Sequence, residues 1–145
     1  MKWFKSFIIV MINVILAGSC NEKVFTADVD CNDCYVEKPS KDDLIIALTI
    51  NNKYPRVPIT VYLGDAEKGQ IVISDTADSS PYYVYVPVDK VYSVRAEYKL
   101  DNTAEVIYAV DGTNLKALAV SDACDARCYV IANQNLDVRL KKNFP

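Results

Sequence analysis

Alternation of apolar and polar side chains is the main pattern of this chain after residue 43. Leu44–Ile50 and Val57–Leu63 each place apolar residues at every second position, which is the period of a strand with one buried face. Asn51–Pro55 lies between them and is rich in turn residues. We therefore predict an antiparallel pair of half-buried strands joined by this connection.

The most regular alternation lies in Tyr92–Tyr98. One face carries the apolar residues, Tyr92, Val94, Ala96 and Tyr98. The other face carries Ser93, Arg95, Glu97 and, just beyond, Lys99. This is the pattern of a sheet with one face in the core and one in solvent, so we predict that the first set is buried.

Shorter segments with the same period complete the prediction. The further predicted strands are Gln70–Ser74, Tyr83–Val88, Val106–Val110, Leu115–Val120, Cys128–Ala132 and Leu136–Lys141. Asp111-Gly112 is a strong two-residue turn signal, so we predict a turn there. Within the strand Val106–Val110, we expect Tyr108 to face the core. Eight or so short strands in about a hundred residues, with no segment of helical period, predict an all-β chain: a single β-sandwich of about eight antiparallel strands.

Two stretches carry resemblances to known families of β-sandwich. Tyr92-Ser-Val94-Arg-Ala96 resembles the strand of fibronectin type III and immunoglobulin-like domains that carries a corner tyrosine. Val57–Val94 resembles the transthyretin-like folds appended to many exported bacterial proteins. The resemblances imply an immunoglobulin-like or transthyretin-like sandwich, and they imply no particular activity.

The N-terminal residues bear on the compartment. Met1–Lys5 contains two lysines, Phe7–Leu16 is almost wholly apolar, and the small residues Ala17-Gly18-Ser19 precede Cys20. This is typical of a secretory signal and too short for a membrane-spanning helix. It resembles the lipobox signal of bacterial lipoproteins, although Ala17 stands where leucine is usual. The resemblance implies that residues 1–19 are removed, that Cys20 is lipidated, and that the protein is anchored to the cell envelope, at the outer membrane. The alternative is an ordinary secretory signal that leaves Cys20 as a free thiol.

An acidic segment follows the predicted anchor. We predict a lipid-anchored tether at residues 20–43, which contains the first cysteine pair, and the β-sandwich domain at 44–145. Without Lys2 and Lys5, the 16 basic residues fall to 14, which against 19 acidic residues leaves a net charge of −5. Such a surface repels nucleic acid and anionic headgroups, so we expect no nucleic-acid partner and a membrane contact made through the lipid.

Four further cysteines stand in two close pairs, Cys31 with Cys34 and Cys124 with Cys128. In an oxidising compartment an even number of cysteines predicts two disulfides. Pairing is either local or between the clusters, and we favour cross-linking because it closes a loop of about ninety residues and so stabilises more. Two alternatives are a zinc site of four thiolates and a redox-active Cys31-Asn-Asp-Cys34. The chain has no histidine, and the motif lies in an acidic setting outside any helix, so we expect neither a metal nor a cofactor.

Candidate chemistry is otherwise limited to tyrosines. We find no catalytic constellation and predict that the chain is not an enzyme. Among the ten tyrosines, Tyr82, Tyr83 and Tyr85 form a possible binding surface, because Tyr83 and Tyr85 alternate with valines and point away from them. Cross-strand packing on the outer face is the alternative role. We expect a non-catalytic binding or structural module with a protein or glycan partner, or alternatively a small envelope inhibitor or accessory protein of a hydrolase.

Overall fold

The computed structural model describes residues 31, 34–100, 104–121 and 127–141, and these form eight strands. The strands are β1 (Lys41–Ala47), β2 (Val57–Leu63), β3 (Gln70–Ala77), β4 (Tyr82–Pro87), β5 (Lys90–Lys99), β6 (Val106–Val120), β7 (Cys128–Ala132) and β8 (Asn135–Asp137). The described ranges contain no helix, so the all-β prediction is confirmed. β1 begins at Lys41, three residues before the predicted domain boundary at 44. Asp101-Asn102, turn residues that the sequence places between the predicted strands Tyr92–Tyr98 and Val106–Val110, lie outside the described residues.

The strands form two sheets around one core. The three-stranded sheet has the order β4-β1-β8, and the five-stranded sheet has the order β3-β2-β5-β6-β7. Apolar side chains from both sheets form a single cluster, which includes Leu44, Ile46 and Val84 from the first sheet and Val61 and Val94 from the second. The predicted β-sandwich is therefore confirmed, but the strands are not all antiparallel, because β8 runs parallel to β1.

The predicted pairing of the first two strands is wrong. β1 pairs with β4 and β8, whereas β2 pairs with β3 and β5 in the opposite sheet. Both strands do bury the residues that their alternation marked, such as Leu44 and Ile46 on β1 and Ile59 and Val61 on β2. Period-two alternation determines which face of a strand is buried, and it does not determine the neighbouring strand.

β5 matches its predicted pattern. Tyr92, Val94, Ala96 and Tyr98 are at most 1% exposed. The hydroxyl of Tyr92 donates a hydrogen bond to the carbonyl of Pro87, 2.8 Å away and five residues upstream. This is the contact that a corner tyrosine makes in a β-sandwich. The opposite face is less solvated than predicted, since Ser93 is only 6% exposed.

The predicted turn at Asp111-Gly112 is wrong, because β6 continues through it for 15 residues. Gly112 pairs with Ser93 of β5 and has no positive φ, which the predicted hairpin turn would require. The Asp111 carboxylate instead accepts hydrogen bonds from the amides of Gly112 at 2.8 Å and Asp137 at 2.7 Å. The two predicted strands Val106–Val110 and Leu115–Val120 are therefore parts of one strand.

The predicted burial of Tyr108 is also wrong. Tyr108 and Val110 are each 54% exposed, whereas Ile107 and Ala109 pack against the core. Tyr108 pairs with Glu97, which lies on the outer face of β5, and the pairing puts Tyr108 on that same face. Residues 106–110 are all apolar, so their composition carries no alternation from which the inward face can be predicted.

Candidate binding surface

A disulfide joins the two predicted cysteine clusters. Cys34 is bonded to Cys128, across 94 residues of sequence and with Cα atoms 5.7 Å apart. This confirms the cross-linked arrangement for this pair and contradicts the local pairing. Next to it, Tyr35 and Tyr129 exchange backbone hydrogen bonds of 2.9 and 2.8 Å, so the chain before β1 is attached to the outer edge of β7.

The remaining cysteines bear on the alternatives of zinc binding and redox chemistry. Cys31 is also disulfide-bonded. Cys124 lies outside the described residues, as does the predicted lipidation site Cys20. Because Cys34 is bonded to Cys128, a four-thiolate zinc site and a redox pair of Cys31 with Cys34 are both incompatible with this structure. The clasp, as we call the Cys34–Cys128 disulfide with its Tyr35–Tyr129 bridge, is structural.

Of the three tyrosines predicted as a binding surface, Tyr82 differs from the other two. It is only partly exposed, and its hydroxyl donates a short hydrogen bond to the carboxylate of Asp75 on β3. This bond raises the pKa of Tyr82 and lowers that of Asp75. Since β3 belongs to the other sheet, Tyr82 ties the two sheets together.

Tyr83 and Tyr85 lie on an exposed face of the three-stranded sheet. They are 58% and 67% exposed, as their alternation with buried Val84 and Val86 predicted. Tyr85 pairs with Asp43, and Tyr83 pairs with Ile45 of β1. Ile45 in turn pairs with Asn135 of β8. We call these five residues the tyrosine face: Asp43, Ile45, Tyr83, Tyr85 and Asn135.

The tyrosine face combines two exposed aromatic rings with polar side chains from adjacent strands. The carboxylate of Asp43 has no hydrogen-bond or ion-pair partner among the described residues, although its backbone N–H donates to Asp42. Aromatic rings with an apolar body and a hydroxyl tip are enriched at binding surfaces. The arrangement suits contacts through ring faces, with Asp43 available to accept hydrogen bonds.

A buried network lies directly behind this face, and no pattern in the sequence indicates it. Asp42 is 8% exposed, and its carboxylate accepts hydrogen bonds from the Tyr35 hydroxyl at 2.8 Å and the Gln134 amide at 2.9 Å. The backbone N–H of Asp43 donates to the same carboxylate at 2.7 Å. The hydrogen bond to Asp42 raises the pKa of Tyr35. Buried carboxylates need such partners, so this network holds the clasp, β1 and the approach to β8 in place.

The outer face of the five-stranded sheet carries a separate charged group. Arg95 forms ion pairs with Glu97 at 3.0 Å and Glu67 at 3.4 Å. Its guanidinium also lies 5.1 Å from the centre of the Tyr108 ring. Because these contacts neutralise the charge of Arg95 within the molecule, the residues stabilise the surface of the sheet and are not a candidate binding site.

The part of the chain that the structure describes contains neither a candidate metal site nor a candidate membrane-spanning helix. No three histidine, cysteine or acidic residues there are grouped so as to hold a metal ion. Nor does that part contain a helix of the length and apolarity needed to cross a membrane. Comparison of the chain with protein-family models, curated proteins and solved structures gave no match.

Proposed function

We propose that this chain is a non-catalytic binding module of the bacterial cell envelope. It is exported, anchored through a lipid on Cys20, and contacts a protein or glycan partner through the tyrosine face. The observation that carries the binding proposal is the exposure of Tyr83 and Tyr85 beside the carboxylate of Asp43, which has no hydrogen-bond or ion-pair partner within the described ranges.

The Cys34–Cys128 disulfide supports the exported location. Structural disulfides form and persist in oxidising compartments and are rare in the reducing cytosol. The bond joins the segment before β1 to β7, so it has the position of a structural disulfide.

Labelling with a palmitate analogue tests the anchor. Cells that express the wild-type chain should incorporate the label, and the protein should fractionate with membranes, because two or more acyl chains anchor stably. The Cys20→Ala variant should remain unlabelled and soluble. Equal labelling of the two proteins would exclude Cys20 as the lipidation site.

A pull-down from envelope extract tests the tyrosine face. The wild-type protein should retain a partner that the Tyr83→Ala/Tyr85→Ala double variant loses. The matched control is Ile71→Ala/Val72→Ala, which removes two exposed apolar side chains from the other sheet and should retain the partner. Loss of the partner in the control alone would contradict the assignment of the face. Recovery of a basic hydrolase would favour the alternative role of an inhibitor or accessory protein.

A further inference from the structure

The first half of β6 has an edge that no described strand covers. β6 pairs with β5 along Val106–Leu115, but β7 covers its other side only from Lys116 to Val120. After β7 the chain turns at Asn133, which has a φ of 62°, and β8 then joins β1 in the other sheet. The strand that would have continued along β6 therefore leaves this edge without a paired strand. The segment after β8 borders the edge: the N–H of Asp137 donates to the Asp111 carboxylate at 2.7 Å, and Arg139 and Leu140 line one cleft with Ile107–Asp111.

Hydrogen bonds show which backbone groups point toward the open edge. In a regular strand, the N–H and C=O groups of one residue point to the same side, and successive residues alternate. The N–H of Ala117 donates to Asp89, on the side of β5. The C=O of Asn114 accepts from Asn133, on the opposite side. Even-numbered residues of β6 therefore direct their backbone groups to the open edge, and those of Tyr108 and Val110 have no partner among the described residues.

The sheet edges at β4, β3 and β7 carry features that oppose pairing with another chain. β4 is flanked by Pro81 and ends in Pro87, and β3 has a register irregularity opposite Val61 and Tyr62. The outer side of β7 is covered at Tyr129 by Tyr35. Prolines, bulges and covered edges are the usual protections against edge-to-edge association. Between Val106 and Val110, β6 has no proline, charge or bulge, and its side chains are all apolar.

We propose that this edge of β6 pairs with the same edge of a second copy of the chain, as a two-fold symmetric dimer. In the favoured register Tyr108 lies opposite Val110 of the other copy, and Ala109 lies opposite Ala109 at the two-fold axis. Each dimer then has two aromatic–β-branched cross-strand pairs, which are favourable, and four new backbone hydrogen bonds.

Pairing of the two copies with the two-fold axis moved by one residue either way is less favourable, because it places unsuitable residues opposite each other. If Tyr108 lay opposite itself, Asp111 would lie opposite Glu105, and like charges directly opposite each other are destabilising. If Val110 lay opposite itself, Tyr108 would have to pair with Gly112, whose N–H already donates to Asp111 at 2.8 Å. The sequence of this edge is therefore self-complementary in one register.

Cysteine cross-linking tests the register with the full exported chain in detergent. Ala109 would form a non-hydrogen-bonded pair with its copy, where Cα atoms are about 4.5 Å apart, a distance that a disulfide can bridge. Ala109→Cys should give a covalent dimer under mild oxidation. The control is Ala117→Cys, which is on the same strand where β7 already covers the edge, and it should remain monomeric. Equal cross-linking at the two positions, or none at 109, would overturn the proposal.

Sedimentation equilibrium tests the dimer without a cross-link. Val110→Pro removes one N–H from each copy, and therefore two of the four hydrogen bonds, which should weaken dimerisation by about ten- to a hundredfold. Val110→Lys keeps the backbone intact and should also weaken the dimer, because a charge on an edge strand opposes pairing. An intact Cys34–Cys128 disulfide and an unchanged circular dichroism spectrum would show that each variant is folded. A wild-type protein that stays monomeric, or variants that dimerise as the wild type does, would refute the proposal.

Discussion

Removal of the Tyr98 hydroxyl should be the most costly tyrosine-to-phenylalanine change in this chain. Tyr98 is fully buried, and its hydroxyl donates to the C=O of Val138 at 2.8 Å and accepts from the N–H of Thr49 at 3.1 Å. It thus connects β5 of one sheet to the residues that follow β1 and β8 of the other. Burial raises the pKa of Tyr98, so the neutral, donating hydroxyl is the form present at neutral pH.

The expected magnitude follows from the two groups that lose their partner. Tyr98→Phe leaves the C=O of buried Val138 and the N–H of Thr49 without a hydrogen bond, and each such group costs about 1–3 kcal/mol when it is kept from water. Thr49 is only partly buried, so its share should be at the lower end. We expect the free energy of unfolding to fall by roughly 2–3 kcal/mol.

Two matched variants remove the same oxygen atom elsewhere. Tyr92→Phe removes one hydrogen bond, to the C=O of Pro87. Because Pro87 is exposed, water can replace the hydroxyl, and the free energy of unfolding should fall by about 1 kcal/mol. Tyr108→Phe changes an exposed ring and should alter stability by less than about 0.5 kcal/mol. Urea unfolding of the oxidised proteins, with unchanged m-values, measures all three. If Tyr98→Phe costs no more than Tyr108→Phe, the hydrogen bonds that join the two sheets are not as described.

Three further outcomes are expected. Replacement of Cys31, Cys34, Cys124 and Cys128 by serine, which removes every cross-link between the two clusters, should lower the free energy of unfolding by up to about 4–5 kcal/mol in the chain-entropy model, measured by urea unfolding, and a loss below about 1 kcal/mol would contradict that role. Val94→Asp should cost more than about 3 kcal/mol because it places a carboxyl in the core, whereas Lys99→Asp on the exposed end of β5 should cost less than about 0.5 kcal/mol; equal melting would contradict the register. The pKa of Asp137 is lowered from 3.8 to about 2, chiefly by its hydrogen bond to Arg139. The stability that the Asp137 carboxylate contributes is therefore present above about pH 4 and is lost as the pH falls through about 2. NMR titration should show a higher pKa of Asp137 in Arg139→Gln, and an unchanged pKa would contradict the pairing.

Strand faces were predictable where polar and apolar residues alternate. On β5, the alternation of Tyr92 and Val94 with Ser93 and Arg95 gives a single solution for the buried face, and the structure has that solution. The pairing of β1 with β2 failed because alternation contains no information about neighbours. The connection of nine residues between them, which bonds to itself through Asn51, instead carries the chain into the opposite sheet.

The error at Tyr108 has a different physical origin. Residues 106–110 are apolar at every position, so the strand has no preferred face until it pairs with β5. Pairing with Glu97 places Tyr108 outside, where its ring meets the guanidinium of Arg95. The turn predicted at Asp111-Gly112 does not form. The carboxylate of Asp111 instead accepts hydrogen bonds from the N–H groups of Gly112 and Asp137 within the continuous strand.

The exposed tyrosines of the candidate site were predictable, but the network behind them was not. Tyr83 and Tyr85 are adjacent in the sequence to the valines that fix their orientation. Asp42 and Gln134 are 92 residues apart, and no local pattern relates them. Asp42 lies in the segment that the sequence predicts to be an acidic tether, because a buried carboxylate cannot be distinguished by sequence from an exposed one until its hydrogen-bond donors are known.

A single crossover after β7 accounts for both surfaces that we propose. The clasp fixes the start of β7 against Tyr35, and Asn133 then turns the chain from the five-stranded to the three-stranded sheet. Asparagine tolerates the positive φ that this turn requires better than most side chains. The crossover brings Gln134 to Asp42 and β8 to β1, which completes the tyrosine face with Asn135. Because the same chain then no longer pairs with the first half of β6, completing one surface leaves that edge without a strand partner among the described residues.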